Sequence, residues 1–377
     1  MTTGYTLSSG FLNPQVLVDT VDGYIIGNPV MGKTGAVVMN TSLPDTARGG
    51  DTVTVPYFTG PGEFADYNDG DAIAITQIGN SNDTATVVRS GLAVNVTDMT
   101  RQLRAYSNPL ERAAAMIGQA AIYRLDKAAV DAASADGLPA FMDINVYSAT
   151  SPQYFDRDLY LAARGAFGDE VRGLAAGAVH SVTANRMLKL KASNGQPLLN
   201  VVRQDMDAGM IEFEGMAPLF ISDRLPVAYT VTSAGTTPPT VTVSGYPAGD
   251  YNIRIEITGG GTLGNAVFRL SVDGGTTWAL TSQTTAALWT NDQYGLNVVF
   301  ASGTYATDNV YTTKATYTSL LLKKGAIVSW SAKLNAEDWR DPLRKATVHS
   351  AEILHVTKRY SRLPGMRRPG VVRIKHN

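Results

Sequence analysis

Gly27-Asn-Pro-Val-Met-Gly-Lys-Thr34 has the spacing G-x-x-x-x-G-K-[ST] of a phosphate-cradling loop. In such a loop, amides and a lysine meet the anion and the hydroxyl meets a metal. That chemistry needs a strand before the loop and a helix after it, whose first amides complete the cradle. Here Thr34 is followed by Gly35, Val37, Val38 and soon Pro44, a poor helix, so no nucleotide is expected. Leu219-Phe-Ile-Ser-Asp223 is a candidate for the accompanying Mg²⁺-holding strand, but it carries a serine in its middle. Asp66, Asn68, Asp69 and Asp71 offer oxygen ligands to Ca²⁺, yet they miss the EF-hand spacing and its closing glutamate. A turn-rich acidic loop tip is the expectation there. His180, His349, His355 and His376 form neither H-E-x-x-H nor a ligand cluster, and His180 falls in an apolar strand as a structural residue. There is no G-x-S-x-G. The absence of cysteine removes disulfides, thiolate metal sites and cysteine nucleophiles. Trp278, Trp289, Tyr246 and Tyr294 form either a sugar-stacking face or, the favoured reading, the core of a small β-sandwich. No catalytic, cofactor-binding or metal residue is assigned, and the chain is not expected to be an enzyme.

The elements that would position these residues come in distinct stretches. A chain of 377 residues can bury a substantial core in two or three domains. Its net charge of −1 selects no partner, but from Arg340 to Asn377 ten basic residues face two acidic ones. That tail is therefore +8 and the remainder −9, an asymmetry suited to polyanions or to acidic surfaces of other subunits. Met1-Thr-Thr-Gly-Tyr-Thr-Leu7 reads as no signal peptide, and no run approaches the ~18 apolar residues of a membrane span. Folding in a cytoplasm is the expectation.

Residues 1–50, rich in Gly, Pro, Asn and Thr, suit an extended arm. Thr52-Val-Thr-Val55 alternates as a strand does, and Pro56 places it at a strand end or a sheet edge. After an acidic loop, strand-like sequence resumes at Ala72–Ile75 and from Thr84 to Val96, which reads as a long two-stranded excursion. Asn108 as N-cap, Pro109 at the first helical position and Glu111 mark the start of a helix. Leu110, Ala114, Ile117, Ala121, Leu125 and Ala129 form its apolar stripe, and Gly137 and Pro139 end it. A second helix is expected from an Asp156 cap to about Leu174, a strand over Ala178–Val182 and a third helix near Ala184–Lys191.

Thr230–Thr316 differs from everything around it: 19 Thr and 11 Gly in 87 residues, with only 8 charged side chains against 57 in the other 290. Tyr251, Ile253, Ile255 and Ile257 alternate with polar residues, and so do Phe268, Leu270 and Val272 before the hairpin signal Asp273-Gly-Gly275. The segment reads as an all-β module inserted into a host fold.

The order of the host elements resembles that of the major capsid proteins of tailed bacteriophages, over nearly all of the chain outside the module. Gly50-Asp-Thr-Val-Thr-Val-Pro56 with Asn68-Asp-Gly70 is similar to that family's extended loop, and Val87–Asp98 to its returning strand. Asn108–Ala133 is similar to its spine helix, and Phe220–Pro226 joined to Tyr317–Ala326 to its apical strand and return. Glu337–Asp341 and Arg368–Val372 are similar to its closing strands, and the module to the immunoglobulin-like insertions of some members. The resemblance implies an α+β phage major-capsid fold with an all-β inserted domain. Its parts would be an N-terminal arm (1–50), an extended hairpin loop (51–98), a spine helix with the first part of a peripheral and apical domain (99–229), the inserted sandwich (230–316) and a second part (317–377).

The implied function is a virion protein, made in the host cytoplasm, that self-assembles through pentamers and hexamers into an icosahedral head around double-stranded DNA. Its partners would be further copies, scaffold, portal and decoration proteins and, without sequence preference, DNA; neither membrane nor cofactor is implied. Residues 1–50 leave no room for a large fused scaffold domain. Inter-subunit contacts are expected between an acidic set, Glu63, Asp66, Asp69 and Asp71, and a basic set, Arg340, Arg344, Lys358, Arg359, Arg362, Arg367 and Arg368. The alternative is a phage tail or surface-binding protein whose β module binds host glycan.

Overall fold

The structure, a computed structural model, describes residues 30–40, 49–58, 80–97, 109–148, 152–190, 210–212, 217–247, 249–331, 335–341, 346–361 and 368–377. The fold is α+β with sheet predominating. The chain divides into two compact units, Met1–Ala133 with Lys323–Gly370 and Ser134–Leu322 with Val371–Asn377.

In the first unit a sheet is built around the strand Ala346–Arg359. On one side it pairs antiparallel with Ile327–Ser331 and then with Asn335–Asp341. Its other side takes Val88–Thr97, with Thr97 opposite Ala346 and Val88 opposite His355. Val37–Asn40 joins Ile327–Ser331 in parallel, and Met31, Ala36 and Val37 are buried, so this part of the stretch read as an arm packs within the unit.

The expected two-stranded excursion is present: Thr52–Phe58 pairs antiparallel with Asn80–Thr86. The turn region 59–79, including Ala72–Ile75, lies outside the described residues. Val87 joins this ribbon to Val88–Thr97. Its N–H donates to Asp51 O at 2.8 Å, its carbonyl accepts from Gly50 N–H at 2.9 Å, and its buried side chain packs with Val356, Val53 and Trp330. Pro56 lies opposite Asn82 in a strand with no second partner among the described residues, where a missing N–H costs the sheet nothing.

The helix Pro109–Ser134 spans 26 residues, about 39 Å at 1.5 Å per residue. Ile117, Leu125 and Ala129 of the expected stripe are buried, and Ile122, Val130 and Ala133 widen it. Gly137, at φ +92°, follows the helix end as its sequence position suggests.

The second unit contains a sheet running through Met210–Ile211, Leu219–Ile221, Leu174–Val179 and Val310–Lys323, with Val371–His376 also on Val310–Lys323 and Asp143–Asn145 beyond it. Tyr160, Ala163, Phe167, Met187, Leu219, Leu321 and Val372 form one core with it. Three expected boundaries move, the strand expected over Ala178–Val182 being Leu174–Val179. The helix capped by Asp156 covers only Arg157–Gly165, because Gly168 and Gly173 adopt positive φ before the strand begins at Leu174. The next helix is Ser181–Met187 rather than 184–191, because His180 leaves the strand and caps it.

Gly177 lets this sheet close. A Cβ there would stand 2.4 Å from Leu219 Cδ2 and 2.9 Å from the Leu320 carbonyl oxygen, and the carbonyl is backbone that cannot swing away. Gly177→Ala is expected to cost about 1–3 kcal/mol through overpacking, read as a drop in the thermal unfolding midpoint.

Residues 232–314 of the same unit contribute two facing sheets. One runs Leu280–Thr284, Val267–Ser271, Asn252–Gly259, Val310–Lys323, with Thr232–Ala234 also on the last of these; the other runs Val241–Gly245, Leu296–Phe300, Trp289–Asn291. Ile253, Ile255, Ile257, Phe268 and Leu270 from the first meet Val241, Val243, Leu296, Val298 and Phe300 from the second. Period-two alternation produces both faces. The strand Val310–Lys323 is common to this sandwich and to the core sheet: Val310–Lys314 pairs with Asn252–Glu256, and Tyr317–Leu322 with Val371–His376.

Candidate functional site

Of the phosphate-loop motif, residues 30–34 are described. Val30–Lys33 is a four-residue helix that leads into a strand, Val37–Asn40, so no helix opens after the lysine and threonine to complete a phosphate cradle. The Met31 N–H donates to Asp126 Oδ1 at 3.1 Å, so a buried carboxylate occupies one of the amides that would hold an anion. The Thr34 hydroxyl donates to Met31 O at 2.6 Å and accepts from Ala36 N–H at 3.1 Å. Leu219–Asp223 belongs to the second unit, where Asp223 Oδ1 accepts from Ser181 N–H at the start of the Ser181–Met187 helix.

All four histidines are buried. His180 is not a strand residue: Val182 N–H donates to its Nδ1 at 3.2 Å, and its ring lies 5.2 Å from that of Tyr317. Burial lowers its pKa, against a raising influence from Asp223. The sequence held no sign of the polar knot nearby. His376 Nδ1 bonds to Asn377 O at 3.0 Å and its Nε2 to Ser319 Oγ at 2.9 Å. Asn377 Oδ1 accepts from Ser148 N–H and Gln153 N–H, and Arg186 donates to Asn377 O at 2.7 Å while pairing with Asp250. Burial lowers the pKa of His376 to about 4, with Arg186 and His180 adding to the effect and the Asn377 bond opposing it. In the first unit burial and the Arg124 charge bring His355 to about 4 as well.

Arg373 is a further residue that spacing could not reveal. Its side chain is 7% exposed, and it grips Asp143, its partner across the parallel strand pair, with Nε at 2.7 Å and with Nη2. Nη1 reaches Asp136 at 3.0 Å and the Ser134 carbonyl. Hydrogen bonding to Asp143 raises its pKa, so the guanidinium stays charged.

Of the residues expected at subunit contacts, Glu63, Asp66, Asp69, Asp71, Arg344, Arg362 and Arg367 lie outside the described residues. Arg340 lies in the strand Asn335–Asp341, opposite Thr347. Lys358, Arg359 and Arg368 are half-buried, and Arg359 Nη1 donates to the Ala133 carbonyl at 3.1 Å. Large apolar side chains stand exposed on the same unit: Val38, Val88, Leu92, Met116 and Tyr123.

The four aromatics do not form one face. Trp289 packs edge-on against Phe268, and Tyr294 against Tyr251. Trp278 lies 3.7 Å beneath the Arg269 guanidinium, leaving Tyr246 as the exposed ring. The Asp273-Gly-Gly275 turn is locked by its own carboxylate. Asp273 accepts from the Ser271 hydroxyl at 2.6 Å and from Thr277 N–H at 2.9 Å, which holds its carboxyl well below the usual range. Among the described residues no three His, Cys, Asp or Glu side chains gather to hold a metal, and no helix is long and apolar enough to cross a membrane.

No protein-family model matches the sequence, and no curated protein matches it. Several solved structures are similar to it. One is the capsid of Ralstonia phage GP4, at 11% identity and TM-score 0.48 over 90% of this chain and 87% of that one. Another is the capsid structure of the cyanophage P-SCSP1u, at 12% identity and TM-score 0.45 over 92% and 87%. A structure from Mycobacterium phage Bobi is similar at 11% identity and TM-score 0.48 over 92% and 90%.

Proposed function

We propose that this chain is a structural, non-enzymatic subunit of a tailed-phage head, self-associating through pentamers and hexamers into an icosahedral shell around double-stranded DNA. The observation that carries the reading is the ribbon Thr52–Phe58/Asn80–Thr86, followed in the chain by the 26-residue helix. A two-stranded ribbon is marginal by itself, and among the described residues neither of its edges has a further strand, so both offer backbone groups to a neighbour. The exposed Leu92, Met116 and Tyr123 add apolar surface of the kind that association covers. Many modest contacts, closed by symmetry, then sum to a stable shell.

In this reading residues 1–50 are an arm, anchored on the first unit by Val37–Asn40, and 51–98 the extended loop, anchored there by Val88–Thr97. The acidic set Glu63, Asp66, Asp69 and Asp71 meets basic residues among Arg340, Arg344, Lys358, Arg359, Arg362, Arg367 and Arg368 of neighbouring copies. Scaffold, portal and decoration proteins are the further partners, and contact with DNA is electrostatic and independent of sequence. Electron microscopy and sedimentation of the purified protein test this: closed particles of uniform size, or rings of five and six, are expected. A monomer at all concentrations, with no particles, overturns it.

The sandwich is read as an insertion immunoglobulin-like in kind, on the shell's outer surface. Tyr229 and Ala315 are direct partners in the antiparallel pair Val227–Tyr229 with Ala315–Tyr317. Replacing residues 230–314 by Asn-Gly, a two-residue turn that suits such a hairpin, is therefore expected to leave a folded, soluble protein. Loss of native circular dichroism in that variant counts against a separable module.

A further inference from the structure

On the outer face of the three-stranded sheet, the register places Thr290, Asn297 and Ser244 in one row across the strands. One residue past the last ladder pairs, Gly295 falls between Asp292 and Tyr246. Gly295 has φ +64° and ends the turn that begins at Asp292. Gly245 is equally constrained, since a Cβ on it would stand 2.3 Å from the Gly295 carbonyl oxygen. The centre of that row therefore has a backbone floor where its neighbours have side chains. The result is a recess of about 220 Å³, with Tyr246 on one wall and Asp292 on the other.

We infer that this recess is a binding subsite for a single neutral pyranose unit. The Tyr246 ring is 55% exposed and is not held by the core, so it offers a flat apolar face to the C–H side of a sugar. Asp292 accepts from vicinal hydroxyls. Asn297, in the neighbouring row of the same face, supplies a carboxamide that both donates and accepts. This is the combination a small-ligand site needs: one apolar wall and a few convergent polar groups. The volume suits one ring and not a longer chain.

Charge narrows the class further. No Lys, Arg or His lines the recess, and the module's arginines are engaged elsewhere, Arg269 over Trp278 and with Glu256, and Arg254 near Glu256. A carboxylated sugar would meet Asp292 with no cation to balance it. The site stands on the sandwich alone, so failure of the shell reading leaves it intact, and its own failure leaves shell assembly intact.

The test is saturation-transfer NMR on the full-length protein with the methyl glycosides of glucose, galactose, mannose and N-acetylglucosamine, and with methyl glucuronide. Transfer to at least one neutral glycoside at millimolar concentrations is expected, strongest on the C–H protons of one ring face, with none to the glucuronide. Tyr246→Ala should abolish it and Asp292→Asn weaken it at least tenfold, both with an unchanged melting temperature because both side chains are exposed. Absence of transfer to all four neutral glycosides overturns the inference, as does transfer that is the same in both variants. Equal transfer to the glucuronide overturns the restriction to neutral sugars.

Discussion

Replacing Arg373 with alanine is expected to remove about 3–5 kcal/mol from the stability of the second unit, the range found when one partner of a buried ion pair is deleted. The guanidinium is 7% exposed and Asp143 26%, so the carboxylate left behind keeps little access to water and, as a cation, the more distant Lys375 ammonium at 3.8 Å. The Ser134 carbonyl loses the Arg373 bond in the same step. Asp136, at 95% exposure, rehydrates freely and adds little. Arg373→Lys should recover only part of the loss, because an ammonium cannot reproduce the two parallel bonds to Asp143. Urea unfolding followed by fluorescence gives the comparison. A midpoint for Arg373→Ala within error of the parent would mean that the clamp is ornamental.

Mild acid is the second large lever. His355 and His376 have pKa values of about 4 in the folded protein, against roughly 6.5 in an unfolded chain. Above pH ~6.5 neither state takes up these protons, so stability is insensitive to them. Below it the unfolded chain binds protons that the folded chain refuses, and stability falls until about pH 4, where both states are protonated. At ~1.4 kcal/mol per pH unit the loss approaches 3 kcal/mol for each ring. The geometry at His376 agrees: Asn377 O accepts from Nδ1–H, and Nε2 is left to accept from the Ser319 hydroxyl, which is a neutral imidazole with both nitrogens used. Denaturation midpoints between pH 7 and 4 should decline steeply. His355→Gln and His376→Gln should each flatten the decline, in the first and second unit respectively. A flat profile in the parent protein would refute the assignment.

What could be read beforehand divides along physical lines. The alternation of Ile253, Ile255 and Ile257 and the Asp273-Gly-Gly275 turn are local signals, and strand and hairpin appear where they point. The long helix likewise starts at its proline and stops before Gly137. Boundaries set by unusual caps were misplaced, because nothing in composition announces that the His180 imidazole will accept an amide proton. Contacts between residues far apart were invisible: Arg373 with Asp143, Met31 with Asp126, and Arg186 with Asn377 each depend on a fold that brings distant segments together. The four aromatics divide for a related reason. The favoured reading of sandwich core holds for Trp289 and Tyr294, but cross-strand register leaves Tyr246 outward. The recess beside Tyr246 comes from a missing side chain at Gly295, which only pairing can place.

The strand shared by the sandwich and the core sheet also bears on the order of folding. Before Val227–Tyr229 can pair with Ala315–Tyr317, a loop of 85 residues, 230–314, must close. For a flexible loop that closure is roughly 3 kcal/mol more costly than for a two-residue turn. A sandwich that folds first removes most of the difference, because its own ladder already sets Thr232–Ala234 against Val310–Thr312 and delivers the two ends together. The segment with least charge and most threonine would then act as a nucleation clamp for its host. Mutations that loosen its core should slow the refolding of residues 174–229 and 315–322, which lie outside it.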